Sequence, residues 1–162
     1  MPEFLDLHGR TSKALRALTE AEMRRHGLHY GQDLVLAVLW ERDGSTPGEV
    51  AAALHVTTPT IVKMATRMTA AGLLTRRRDD RDNRLVRLWL TEAGLTLKEP
   101  VLAARQSLED KVTAGLSEAE RRRLLTMLAT IHRAAAELLG EPPGPAREPP
   151  EHAGSPAGEA AT

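Results

Sequence analysis

Between Thr46 and Gly94 the spacing of apolar residues changes from a helical period to a strand period and back, and no other feature constrains the chain as much. Thr46-Pro47-Gly48-Glu49 reads as a helix start. The threonine can cap, the proline suits the first helical position, and the glutamate can close a capping box. That helix continues over residues 50–54. The segment His55-Val56-Thr57 then leads into a second helix, with Thr57 or Thr58 as cap, Pro59 in its first turn and Gly72 as its stop. Next the period drops from 3.6 to 2. Residues 85–90 place Val86, Leu88 and Leu90 on one face of a strand, and residues 73–78 can pair with it around a polar tip at 79–84. Thr91-Glu92-Ala93-Gly94 restarts a helix. A short helix, a three-residue turn, a second helix and a basic hairpin in this order describe a winged helix-turn-helix.

The flanks are helical. Residues 4–26 carry Leu7, Leu15, Leu18 and Met23 at patchy helical spacing, closed by Gly27. Residues 32–42 form an apolar helix with Leu34, Val35, Val38 and Leu39 inward, ended by Asp43-Gly44. The helix that starts at Thr91 should kink at Pro100, because proline removes a backbone donor and crowds the preceding turn. Ser117-Glu118-Ala119-Glu120 is a capping box for a last helix bearing Leu124, Leu125, Leu128, Ile131, Ala135 and Leu138. The expected fold is mainly α with a small β-hairpin wing, in the order α-α-α-α-β-β-α-α.

The expected division is an N-terminal helix of a dimerisation region (1–30), the winged domain (31–91), C-terminal helices of the dimerisation region (92–139) and a tail (140–162). The tail holds six prolines and four glycines, and such a composition is expected to be disordered. Leu97, Leu102, Leu108, Leu116, Leu124, Leu128 and Leu138 have little to pack on within a small winged domain. A two-fold interface with a second copy would bury them, so a homodimer is expected.

Several function classes drop out. The chain has no cysteine, which excludes disulfides, thiolate catalysis and thiol redox sensing. No nucleophile elbow, P-loop, dinucleotide fingerprint or H-E-x-x-H stands in it, so no enzyme and no cofactor are expected. Glu22, His26 and His29 have a spacing that can hold zinc, but Gly27 breaks the helix between the histidines, and no metal is expected. The N-terminus lacks a signal-peptide pattern, and the longest apolar run, residues 34–40, is too short to span a bilayer. A cytoplasmic protein without a membrane partner is therefore expected.

The formal net charge is zero, but its distribution is uneven. Residues 57–90 hold eight basic and three acidic residues, a net +5; residues 140–162 hold four acids and one arginine, a net −3. The positive charge coincides with the second helix and the hairpin, as contact with double-stranded DNA requires. On the second helix, at roughly 100° per residue, Ile61, Met64, Ala65 and Met68 gather on one side. Thr60, Lys63 and Arg67 gather on the other. Arginine pairs bidentately with guanine, lysine reaches guanine or phosphate, and threonine bonds phosphate or meets a thymine methyl. Thr57, Thr58 and Pro59 lie at the helix start, nearer phosphate. An amphipathic surface helix shows the same two faces without binding DNA; the cap, the short turn and the hairpin behind it favour the DNA reading. In the hairpin, Arg76, Arg77, Arg78, Arg81 and Arg84 either contact phosphates and the minor groove or form a solvated edge that discourages strand pairing. An ion pair between Asp82 and Arg84 would fix the tip.

These residues resemble the MarR family of bacterial regulators. The resemblance rests on residues 50–54, on Thr57-Thr58-Pro59-Thr60-Ile61-Val62-Lys63 and on Ala71-Gly72-Leu73-Leu74. Most specific are Asp82-Asn83-Arg84 and the downstream Leu90-Thr91-Glu92-Ala93-Gly94. The likeness extends over about residues 5–139, with Val62 and Lys63 departing from the residues common there. It implies a homodimeric, sequence-specific transcription regulator, a repressor more often than an activator, whose two winged lobes read a palindrome. It implies that Arg84 enters the minor groove. It also implies release from DNA by a small aromatic or phenolic ligand near His8, His29, Tyr30 and Trp40, although each of these residues also suits ordinary packing. The alternative is a winged-helix architectural or protein-interaction module that senses no ligand.

Overall fold

The computed structural model describes residues 2–140. It runs α1 (Glu3–Arg24), α2 (Gln32–Glu41), α3 (Pro47–Leu54), α4 (Thr58–Ala70), β1 (Leu74–Arg78), β2 (Val86–Leu90), α5 (Glu92–Thr96), α6 (Lys98–Val112) and α7 (Glu118–Leu138). The mainly helical winged architecture is as expected, with one helix more. Where a single kinked helix was expected after Thr91, the chain forms α5 and α6 with a joint at Leu97. Pro100 has no N–H for the Thr96 carbonyl, and its ring crowds that oxygen, so the ladder is interrupted at Leu97 although its backbone stays helical (φ −72°, ψ −13°). The expected disorder of the tail concerns residues that, beyond Gly140, lie outside the described ones.

The core lies under the helix-turn-helix. Val35, Leu36 and Leu39 of α2, Val50 of α3 and Ile61, Ala65 and Met68 of α4 are buried together with Leu74, Leu88 and Val101. Each such side chain contributes about 1.5–3 kcal/mol on leaving water, the alanine less. The capping box at Thr46 forms: its hydroxyl accepts the Glu49 N–H at 3.2 Å, and Glu49 Oε2 accepts the Thr46 N–H at 2.7 Å. α3 ends at His55, whose backbone turns left-handed, and Val56 N–H reaches back to the Ala51 carbonyl at 3.1 Å. Asp33, buried on α2, is ion-paired with Arg105 on α6, and its Oδ1 has no hydrogen-bond partner.

β1 and β2 pair antiparallel in the register Leu74↔Leu90, Arg76↔Leu88 and Arg78↔Val86. Asp43-Gly44, read from sequence as a helix end, also borders the sheet. Gly44 N–H donates to the Leu88 carbonyl at 3.0 Å, and Leu88 N–H donates to Ser45 at 2.9 Å. Asp43 Oδ1 accepts the Leu90 N–H at 2.9 Å. Gly44 has φ of 74°, and a Cβ there would lie 2.6 Å from the Trp89 ring.

The hairpin base is tied at Thr91. Its hydroxyl donates to the Gly72 carbonyl at 2.6 Å and accepts the Gly94 N–H at 3.1 Å. Its own N–H donates to the Leu73 carbonyl at 3.1 Å. A Cβ on Gly94 would stand 2.4 Å from that same carbonyl oxygen. The Gly94 carbonyl in turn accepts the Trp40 indole N–H at 2.9 Å. This is why threonine and glycine stand three residues apart here.

The wing tip is organised by Asp79. Its Oδ1 accepts the Arg81 and Asp82 N–H groups at 2.9 Å each, and its Oδ2 receives Arg87 Nε. Arg87 also donates to the Gly44 carbonyl at 2.9 Å and lies 3.6 Å from Glu49, which Arg42 pairs from the other side at 3.2 Å. The expected ion pair between Asp82 and Arg84 does not form. Asp82 Oδ1 instead accepts the Arg84 backbone N–H at 3.0 Å, a local turn that leaves the Arg84 guanidinium outward. Arg87 and the two backbone donors hold the Asp79 carboxyl down at about 2.

Two outcomes follow. Gly94→Ala should destabilise the protein by about 1–3 kcal/mol through overpacking, read as a lowered urea midpoint. Asp79 titrates below its ordinary value of 3.8, so its contribution is present above that pH and is lost as pH falls toward about 2. The stability difference between the parent and Asp79→Asn should therefore shrink over that window in urea titrations. A difference constant with pH would show that Asp79 does not carry it.

Candidate nucleic-acid interface

α4 presents two faces. Ile61, Ala65 and Met68 are buried against α2 and α3, with Met64 half-buried beside them. Thr57, Thr58, Pro59, Thr60, Lys63 and Arg67 are all exposed. Pro59 sits in the first turn, where its missing N–H leaves no unpaired acceptor. Thr57 occupies the cap position, yet its hydroxyl bonds the Thr60 hydroxyl at 2.8 Å rather than a backbone N–H. Thr60 N–H donates to the Thr57 carbonyl at 3.1 Å and Pro59 has no N–H, so the helix start has no side-chain cap.

The wing arginines do not act as one group. Arg76 pairs with Leu88 in the register and so shares the face of the hairpin that meets α4. Its guanidinium donates to Thr66 on α4 at 3.2 Å. Arg77, opposite Arg87, is on the other face. There Arg77, Arg81 and Arg87 line a cleft of about 350 Å³ with Asp79 and Trp89. Arg84 stands at the tip, exposed, with its guanidinium free of partners among the described residues. Of the nearby acids, Asp79 is paired with Arg87 and accepts two backbone amides, Asp82 accepts the Arg84 amide, and Asp80 is exposed.

Sequence reasoning missed Thr66 and Arg87. Thr66 is exposed on α4 and links the helix to the wing. Arg87 alternates with Val86 and Leu88, and that alternation was the available signal that it faces away from the core.

The residues placed around a ligand by resemblance do four different things. Trp40 gives its N–H to Gly94. Tyr30 lies under the Arg16 guanidinium, 4.5 Å from ring centre to carbon. His8 stacks on Phe4 at 5.9 Å, and the His29 N–H donates to Gln32. A separate, open cleft of about 600 Å³ lies where α1, the end of α4 and α5 meet, lined by His26, Ala71, Leu73, Glu92, Ala93 and Leu97. Among the described residues no group of three or more His, Asp or Glu side chains is placed to hold a metal ion, and no helix is long and apolar enough to cross a membrane.

Comparison with known proteins places this architecture. The MarR family model matches residues 28–86. The organic hydroperoxide resistance transcriptional regulator of Bacillus subtilis (strain 168) is 35% identical over 112 residues, covering 64% of this chain and 72% of that protein. The HTH-type transcriptional regulator TtmR of Methylorubrum extorquens (strain PA1) is 34% identical over 109 residues, covering 67% of this chain. The match spans 55% of TtmR, about half its length. In fold, the S. aureus MepR–DNA complex aligns with a TM-score of 0.77 at 22% identity, over 83% of this chain and 99% of MepR. The identity to the Bacillus subtilis regulator over most of that protein's length, together with the family-model match across the helix-turn-helix, makes this chain a member of the MarR family of DNA-binding transcriptional regulators.

Proposed function

We propose that the protein is a sequence-specific repressor that binds a palindromic operator as a homodimer. The observation that carries this reading is the coincidence of two exposed surfaces: the Thr60, Lys63 and Arg67 face of α4 and the arginines of the wing. In this reading Thr60, Lys63 and Arg67 meet base edges in the major groove. Thr57, Thr58 and Pro59 set the helix start against phosphate. Arg77 and Arg81 neutralise the flanking backbone, Arg76 braces the wing against α4, and Arg84 enters the minor groove.

The homodimer is supported by apolar surface that one chain leaves open. α7 has no buried residue, and Leu125, Met127, Leu128, Ile131 and Leu138 are exposed along it. Phe4, Leu5, Leu7, Leu15 and Leu18 are exposed on α1. Residues 2–30 and 92–139 are then the dimerisation region and 31–91 the reading head. We extend the reading to release by a small aromatic ligand. The cleft of about 600 Å³ supports it, because it touches the end of the recognition helix and α5 together.

The test is selection of bound duplexes from a random library, followed by footprinting. A palindrome with half-sites about one helical turn apart is expected. Binding without any enriched sequence would instead favour the architectural reading and overturn this one. In the same assay Arg67→Ala should relax specificity at one base in each half-site, a loss of about 1–3 kcal/mol of discrimination. Arg84→Ala should weaken binding chiefly through the A·T preference flanking each half-site. Unchanged affinity at fixed salt would remove Arg84 from the interface.

A further inference from the structure

His55 ends α3 and opens the turn into the recognition helix. Its φ is 54°, and it is the one described non-glycine residue with positive φ. Its imidazole meets that of His132 on α7, with ring centroids 5.5 Å apart and planes inclined by 72°. Both residues are exposed. The two rings come from elements far apart in sequence, and they join the turn before α4 to a helix that buries no residue of its own in the chain.

The separation has a chemical meaning. Two imidazoles bound to one zinc ion at tetrahedral angles, with Zn–N near 2.0–2.1 Å, place their ring centroids about 5 Å apart. Imidazole nitrogen suits zinc, nickel and copper, and disfavours magnesium and calcium. No third His, Asp or Glu joins the pair among the described residues.

We propose that His55 and His132 form a two-imidazole site for a borderline transition-metal cation, Zn²⁺, Ni²⁺ or Cu²⁺. An ion held there ties α7 to the turn from which Thr57, Thr58 and Thr60 project. Metal occupancy and the position of the recognition helix are then linked. The site does not depend on the operator reading above, because it is measured on the protein without DNA.

The experiment is calorimetric titration of Ni²⁺ into the untagged, metal-free full chain, with Cu²⁺ electron paramagnetic resonance on the same samples. The variants are His55→Asn, His132→Asn and a His26→Asn/His29→Asn control. Asparagine at 55 tolerates the left-handed backbone. One ion per chain is expected for the parent and the control, with affinity lowered about tenfold or more in each single variant. Nitrogen hyperfine lines should report two imidazoles in the parent and one in either single variant. Parent-like affinity in both single variants, no uptake by the parent, or loss of the site in the control would overturn the proposal.

Discussion

The winged lobe depends on a short tie of hydrogen bonds at Thr91. One hydroxyl both donates to the Gly72 carbonyl and accepts the Gly94 N–H, while the Thr91 amide takes the Leu73 carbonyl. These contacts join the end of α4, the hairpin and the start of α5 within a few ångströms. Trp40 adds α2 through the Gly94 carbonyl. Polar groups here are satisfied by partners from four elements, so a shift of any one breaks bonds to the others. The closeness is possible because Gly94 has no Cβ.

Charge in the wing follows the same economy of partners. Three aspartates beside a row of arginines look self-defeating for a surface that meets phosphate. Asp79 instead gathers the tip amides and Arg87, and Arg87 reaches on to the Gly44 carbonyl and Glu49. Asp79 and Asp82 shape the loop, and the Arg84 guanidinium stays outward. Exposed ion pairs contribute little stability singly; their effect here is directional, holding a loop whose tip carries Arg84. The α4 face gains a similar support from the Arg76–Thr66 bond, which fixes the angle between helix and wing.

Much of the lobe was legible in the sequence because its signals are local. The capping boxes at Thr46 and Ser117 form as read, and the period change at residues 85–90 marks β2. The two faces of α4 follow from spacing alone. What could not be read depends on contacts between distant residues. Asp82 and Arg84 suggested an ion pair by proximity, but the carboxylate finds a nearer backbone donor. Asp43-Gly44 signalled a helix end, and only the folded sheet shows it lying against β2. Leu36 breaks the helical stripe expected of α2 because that helix is covered on more than one side. The His55–His132 contact has no sequence signature, since no spacing rule connects α3 with α7.

The joint at Leu97 has a mechanical consequence. A continuous helix would transmit bending directly from the arm to the reading head through its backbone. With the Thr96 carbonyl deprived of its donor by Pro100, that route is interrupted. The load passes instead through side chains just beyond the break, where Val101 enters the core and Arg105 meets Asp33. Substitutions at 33, 101 or 105 therefore act on how α6 sits against α2 while every residue on the α4 face stays the same.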